Sequence, residues 1–166
     1  MPSRFGWLIL AVVVVGLDQL TKAWVVAALP YRHAIELTPF FRLVHVHNTG
    51  AAFSFLADAG GWQRWFFVGL ALGASALLLV WLWRLPRQKR LEATGVSLIL
   101  GGALGNFIDR IRYGYVVDFL DFHLGGWHWP AFNLADTAIT LGVGLLLWQS
   151  FFTSESTRAS EERHGG

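Results

Sequence analysis

Residues 65–90 read WFFVGLALGASALLLVWLWRLPRQKR. The first nineteen, Trp65 to Trp83, carry no charge, and the next seven, Arg84 to Arg90, carry four positive ones. A bilayer's hydrocarbon core is about 30 Å thick and takes about 20 helical residues to cross, so Trp65–Trp83 is long enough to span it. Lys and Arg accumulate on the cytoplasmic flank of a span. The Arg84–Arg90 cluster therefore predicts that this span ends on the inside.

Working outward, three more apolar stretches appear, giving predicted spans at 5–29, 65–83, 93–113 and 129–152. The first is interrupted by Asp18 and Lys22; it is read as a retained span, because a cleaved secretory signal would not need that pair. Four spans place both tails on the same side as the 84–90 loop, and Arg4, Arg158 and Arg163 agree with that placement. The 30–64 and 111–128 connections then face outward. Both mix aromatic and β-branched residues with Gly and Pro, in Ile35–Phe55 and Val116–Trp129, which favours short strands. Trp62, Trp65, Trp127 and Trp129 sit near predicted span ends, where indole rings favour the lipid–water boundary. The expected fold is an all-α membrane protein, four transmembrane helices with a small extracytoplasmic β-rich platform, forming one domain over 1–152. The polar tail 153–166 is expected to be disordered and cytoplasmic.

Composition excludes several classes. Of 166 residues 54% are hydrophobic and only 14% charged, against about a quarter in soluble domains, and the mean hydropathy is +0.46; a soluble globule does not fit. The absence of cysteine rules out disulfides, thiolate metal sites and a cysteine nucleophile. A net charge of +2 gives no reason to expect a nucleic-acid partner.

Ionisable groups inside spans are costly and point to function. Asp18 and Lys22, four apart, lie on one helical face and can neutralise each other. In the third span Gly101 and Gly105 form a small-residue face for close helix contact, and Gly69 and Gly73 have the same spacing in the second. Asn106, Asp109, Arg110 and Tyr113 read as a single polar stripe at the outer end of the third span. Asp118 and Asp136 both belong to the outer side, each flanked by apolar residues. Two carboxyls brought together there would share one proton, since burial and like charge both oppose double ionisation. Such a pair suits hydrolysis, one carboxylate deprotonating water while the other acid protonates a carbonyl oxygen. Spacing alone leaves open a capping aspartate and an unrelated acid. His33, His45, His47, His123 and His128 also lie on the outer loops, and His45 and His47 would share a strand face; a zinc site is conceivable, but no HExxH motif occurs. Two other classes compete: a small transporter with an ion path through Asp18, Lys22 and Asp136, and an assembly subunit whose glycine faces bind partner helices.

Five blocks in order along the chain carry a resemblance. Asp18-Gln19-Leu20-Thr21-Lys22, Asn48-Thr49-Gly50-Ala51-Ala52-Phe53-Ser54, Gly101-Gly102-Ala103-Leu104-Gly105-Asn106-Phe107-Ile108-Asp109-Arg110, Val116-Val117-Asp118-Phe119 and Phe132-Asn133-Leu134-Ala135-Asp136 together resemble the lipoprotein signal peptidase (signal peptidase II) family. The resemblance implies a bacterial inner-membrane aspartyl endopeptidase that removes the signal peptide from prolipoproteins just before a diacylglyceryl-modified cysteine, with its site on the extracytoplasmic side. By motif position it implies that Asp118 and Asp136 are the catalytic dyad, that Asn48, Asn106, Arg110 and Asn133 line the substrate or dyad environment, and that Asp18, Lys22 and Asp109 are supporting positions. It also implies sensitivity to the cyclic peptide globomycin, contact with membrane lipid, and neither metal nor organic cofactor. Nothing in the sequence demands more than a monomer.

Overall fold

The computed structural model describes residues 4–50 and 60–164. Four helices, α1 (Arg4–Ala28), α2 (Gln63–Arg84), α3 (Arg90–Arg112) and α4 (Leu134–His164), accompany four strands, β1 (Ala34–Thr38), β2 (Phe41–Asn48), β3 (Val116–Leu124) and β4 (Trp127–His128). Each helix contains a stretch long and apolar enough to cross a membrane. Large apolar side chains such as Val12, Leu20, Leu70, Leu77 and Leu147 point away from the protein interior, as they should where hydrocarbon rather than water is the solvent.

α3 is the central helix and packs against α1, α2 and α4. Its glycines are the reason it can. A Cβ on Gly101 would lie 2.7 Å from Val14 Cβ of α1, one on Gly102 would strike the Ala135 carbonyl of α4, and one on Gly105 would fall 2.5 Å from Asp18 Oδ2. Gly95 and Gly142 repeat this close approach between α3 and α4 toward the other end. Gly69 and Gly73 do not: among the described residues nothing lies within 4 Å of a Cβ at either. The small-residue face expected on the second span has no partner helix here, because α3 meets α2 on a different side.

At the end of the bundle holding the α2–α3 connection, Leu82, Leu85, Ala93 and Val96 form a buried cluster, joined by Leu78 of α2, Trp7 and Leu8 of α1 and Leu146 of α4. Glu92 ties the same end together, accepting hydrogen bonds from Trp81 Nε1 (3.1 Å) and Gln149 Nε2 (3.3 Å) and pairing with Lys89 (2.9 Å).

At the opposite end lies the antiparallel sheet, in the order β1-β2-β3-β4, as the aromatic and β-branched loops predict. Ala51–Phe55 of the first predicted strand region lie outside the described residues. Between Leu43↔Leu120 and Val46↔Asp118 the register slips, so Val44 and His45 together oppose Phe119, and both are buried. That bulge bends β2 over the end of the bundle.

Two boundaries differ from expectation. The fourth helix starts at Leu134 rather than at 129, because Phe132 bridges to Leu120 of β3 before the helix begins and Pro130 cannot donate within a helical turn. At its other end α4 continues past residue 152 to His164, while its membrane-capable part ends at Phe151.

Candidate active site

β3 delivers Asp118. Its residues Val116 to Phe119 are all buried. Asp118 is 2% exposed, with Oδ1 accepting from Asn133 Nδ2 (2.7 Å) and Oδ2 from Asn48 Nδ2 (3.1 Å). Burial, and after it the negative charge of Asp136, push the Asp118 carboxyl up to about 7; the two amide donors and Lys22 pull the other way without cancelling them.

Asp136 arrives by a helix cap. Asn133 is the N-cap of α4: its Oδ1 accepts the Asp136 N–H (3.0 Å), and Asp136 Oδ2 accepts the Asn133 N–H (3.3 Å), a reciprocal capping arrangement. Asp136 Oδ1 accepts from Asn106 Nδ2 (2.8 Å). Asn133 Nδ2 also reaches Asn106 Oδ1 (3.2 Å), so the two carboxyls are linked through two asparagine amides. The capping aspartate left open by the sequence and the second acid of the pair are one residue. Both acids line a cavity of about 800 Å³ together with His47, Asn48, Asn106, Arg110 and an apolar rim that includes Trp129, Phe132, Ile139 and Leu141.

Behind this site sits a closed ion network. Lys22 Nζ lies 2.9 Å from Asp18 Oδ2, 2.8 Å from Asp109 Oδ2 and 2.9 Å from Asn106 Oδ1. Asp18 Oδ1 accepts the Ala135 N–H of α4 (2.9 Å), and Asp109 Oδ2 accepts the Val117 N–H of β3 (3.1 Å). Gln19 Nε2 donates to Asp109 Oδ1 (2.8 Å) and to the Gly105 carbonyl (3.2 Å). The pair expected between Asp18 and Lys22 is therefore a triad with Asp109. It fixes α1, α3, α4 and β3 to one another. Asp18, Lys22 and Asp109 are buried and absent from the cavity lining, which gives no support to an ion path through Asp18 and Lys22.

The stripe read on the third span also divides. Asn106 and Arg110 face the cavity, Asp109 turns to Lys22, and Tyr113 is exposed and stacks on Tyr115. Positions i and i+3 of an α-helix are some 60° apart around the axis, enough to put Asp109 on another neighbour. Arg110 Nη2 donates to the Gly50 carbonyl (2.7 Å), its guanidinium lies 5.0 Å above the Phe67 ring, and its buried Nε has no hydrogen-bond partner among the described residues.

Arg64, near the site, carried no sequence signal, whereas the outer-loop histidines did. Arg64 donates to the Arg110 and Ile111 carbonyls (2.8 and 2.7 Å), capping the C-terminus of α3, where positive charge is favourable. His47 is stacked between Tyr31 and Tyr115, at 4.2 and 3.7 Å between centroids, and its Nε2 is 3.1 Å from that of His45. His45 Nδ1 is 2.8 Å from the Leu29 carbonyl. Burial, and secondarily His45, hold the His47 imidazole below its usual value. His123 and His128 flank Glu36 and Asp121 on the far side of the sheet, where Arg42 binds both acids, most closely Asp121 at 2.7 Å. Among the described residues no group of three or more His, Asp or Glu side chains is placed to hold a metal ion.

The family described as Signal peptidase (SPase) II matches residues 10–152. The chain belongs to the signal peptidase II family. Relatives called lipoprotein signal peptidase include one from Azoarcus sp. (strain BH72), 58% identical over 88% of this chain and 82% of the relative, and one from Paraburkholderia phymatum, 56% identical over 88% and 87%. A Yersinia enterocolitica relative is 50% identical over 89% and 87%. A bacterial membrane enzyme solved by the in meso method at 2.3 Å superposes with a TM-score of 0.82 at 30% identity, covering 90% of each chain; a second, at 1.9 Å, gives 0.75 at 32% identity over 86% of this chain and 90% of the other. Family membership and four membrane-capable helices make this signal peptidase II a multi-pass bacterial membrane protein. The acids, amides and arginine described above all fall inside the matched span.

Proposed function

We propose that the chain is an aspartyl endopeptidase that cuts prolipoproteins just before a diacylglyceryl-modified cysteine, with Asp118 and Asp136 as its catalytic pair. The observation that carries the reading is that two acids eighteen residues apart, one on a strand and one in a helix cap, line one cavity and are joined through Asn133 and Asn106.

In this reading Asp118 holds the shared proton near neutral pH, its carboxyl being pushed up to about 7 by burial and by Asp136. Asp136, at the N-terminus of α4, serves as the base in this reading. Asp136 takes a proton from water, the hydroxide oxygen bonds to the scissile carbonyl carbon, and Asp118 gives its proton to the carbonyl oxygen. Collapse of the tetrahedral adduct breaks the C–N bond: the proton held by Asp136 passes to the leaving nitrogen, and one hydroxyl of the adduct returns its proton to Asp118 as the carbonyl re-forms. Asn48 and Asn133 hold Asp118, Asn106 holds Asp136, and Arg110 is placed to steady substrate carbonyls. Asp18, Lys22 and Asp109 act behind them as a brace.

The positive-inside distribution supports cytoplasmic termini and an extracytoplasmic site. The sheet then lies against the outer leaflet, where the acyl chains of a lipidated cysteine end, and the apolar rim of Trp129, Ile139 and Leu141 suits them. An extended substrate segment can be clamped at the sheet edge by strand-like pairing. A globomycin-type cyclic peptide would occupy the same cavity. The enzyme is expected to act as a monomer.

A gel-shift assay with purified protein tests the reading. Diacylglyceryl-modified prolipoprotein should be shortened, the unmodified precursor should not, and EDTA should leave the rate unchanged. Equal cleavage of both precursors would remove the lipid-dependent reading. Loss of activity with EDTA and recovery with zinc would replace the aspartyl one.

A further inference from the structure

At the end of the bundle away from the site, α1 and α2 part to leave a cavity of about 540 Å³ lined by Leu8, Leu79, Val80, Leu82, Trp83 and Arg84. Five of the six are apolar, and the sixth is a cation at the end of α2. Arg84, Arg87 and Arg90 are all exposed, and among the described residues none has a carboxylate partner. The nearby acid, Glu92, is already taken by Lys89, Trp81 and Gln149. Arg84 thus stands in the lining of a greasy slot, Arg87 and Arg90 follow it in the α2–α3 connection, and the neighbouring Trp81 and Trp83 rings are exposed.

We propose that this slot is a binding site for an anionic glycerophospholipid of the cytoplasmic leaflet, one acyl chain lying between α1 and α2 and the phosphate resting on Arg84 with Arg87 and Arg90. An apolar groove in a membrane protein is filled by some acyl chain in any case. What selects an anionic lipid here is the charge at its mouth: juxtamembrane Lys and Arg attract anionic lipid, and an Arg guanidinium can grip a phosphate through paired N–H donors. A zwitterionic headgroup brings its own cation against the same three charges. The proposed orientation enters only in naming the leaflet, and the peptidase reading does not enter at all.

The test is native mass spectrometry of the full chain released from detergent with equal phosphatidylglycerol and phosphatidylcholine. Phosphatidylglycerol should be retained about tenfold over phosphatidylcholine. The triple variant Arg84→Gln, Arg87→Gln, Arg90→Gln should lose that preference, whereas Arg84→Lys should keep most of it. Leu79→Trp, which fills the slot but leaves every charge, should lower retention of both lipids; undiminished retention would mean a diffuse charged surface and overturn the site. Equal retention of the two lipids by the wild type, or displacement of bound lipid by millimolar inorganic phosphate, would also overturn it. Circular dichroism and gel filtration confirm that each variant is folded before it is scored. Cleavage of modified prolipoprotein by the triple variant should match the wild type, so loss of lipid preference and loss of peptidase activity are read separately.

Discussion

Lys22 has three N–H donors and uses them on Asp18, Asp109 and Asn106. A lone lysine between two buried carboxylates leaves little room for substitution. Lys22→Met should cost about 3–5 kcal/mol, the range for removing one partner from a buried ion pair, measured by unfolding in mixed micelles; Lys22→Met with Asp109→Asn should recover part of it. The third contact reaches the site, because with its oxygen held by Lys22 the Asn106 amide must turn its NH₂ to Asp136. Asp118 gives a pH prediction. Its carboxyl is at about 7 in the folded chain against 3.8 for the free side chain, so the folded state holds that proton more tightly between these values. Its contribution to stability is present at acid pH and lost as pH rises toward 7, and activity that needs the proton should fall over the same alkaline limb. Asn48 donates to the charged form and so lowers the value. Asn48→Ala should move the limb of kcat/KM to higher pH by a fraction of a unit; a shift downward would contradict the assignment. The motifs made Asp118, Asp136 and the asparagines legible in the sequence. The pairing of Lys22 with Asp109 was not, since Asp109 lies 87 positions along the chain and only the α1–α3 crossing brings it there.

For the helices, identical patterns had different fates. Gly101 and Gly105 on α3 and Gly69 and Gly73 on α2 share one spacing, yet only the first pair is pressed against other helices. Spacing tells that a face is smooth; it cannot tell whether another helix lies on it. Gly102→Ala sets a Cβ against the Ala135 carbonyl, at the first turn of the helix that holds Asp136. It should destabilise by about 1–3 kcal/mol, as overpacking does, and lower the cleavage rate more than it raises KM. Gly69→Ala and Gly73→Ala should leave the unfolding midpoint unchanged or raise it, alanine being the better helix former. The start of α4 was misplaced for a related reason: Trp129–Phe132 is as apolar as a helix, but its backbone is spent on β3. The true boundary is set by Asn133, whose side chain caps the helix and orders the site in one step.

Across the whole molecule, four spans and the small sheet follow from hydropathy and strand composition, because a bilayer imposes length and burial rules that a short sequence can display. Side-chain convergence at the sheet end is a property of the fold and becomes visible only in three dimensions. The absence of cysteine makes the orientation easy to test. With a membrane-impermeant maleimide on intact cells, Leu124→Cys, at a residue 75% exposed at the end of β3, should be labelled, and Gln88→Cys in the α2–α3 connection should be protected until the membrane is opened. The reverse pattern would invert the topology and put the cavity on the wrong side for an exported substrate. The account as a whole stands on two carboxyls dividing acid and base work between them. Its most direct measurement is the single-turnover cleavage rate of diacylglyceryl-modified prolipoprotein by Asp118→Asn and Asp136→Asn, each folded in nanodiscs beside the wild type. Both should cleave at least about 10³-fold more slowly, within the range for losing a general acid or base, while still binding substrate; either variant cutting within tenfold of the wild type would contradict it.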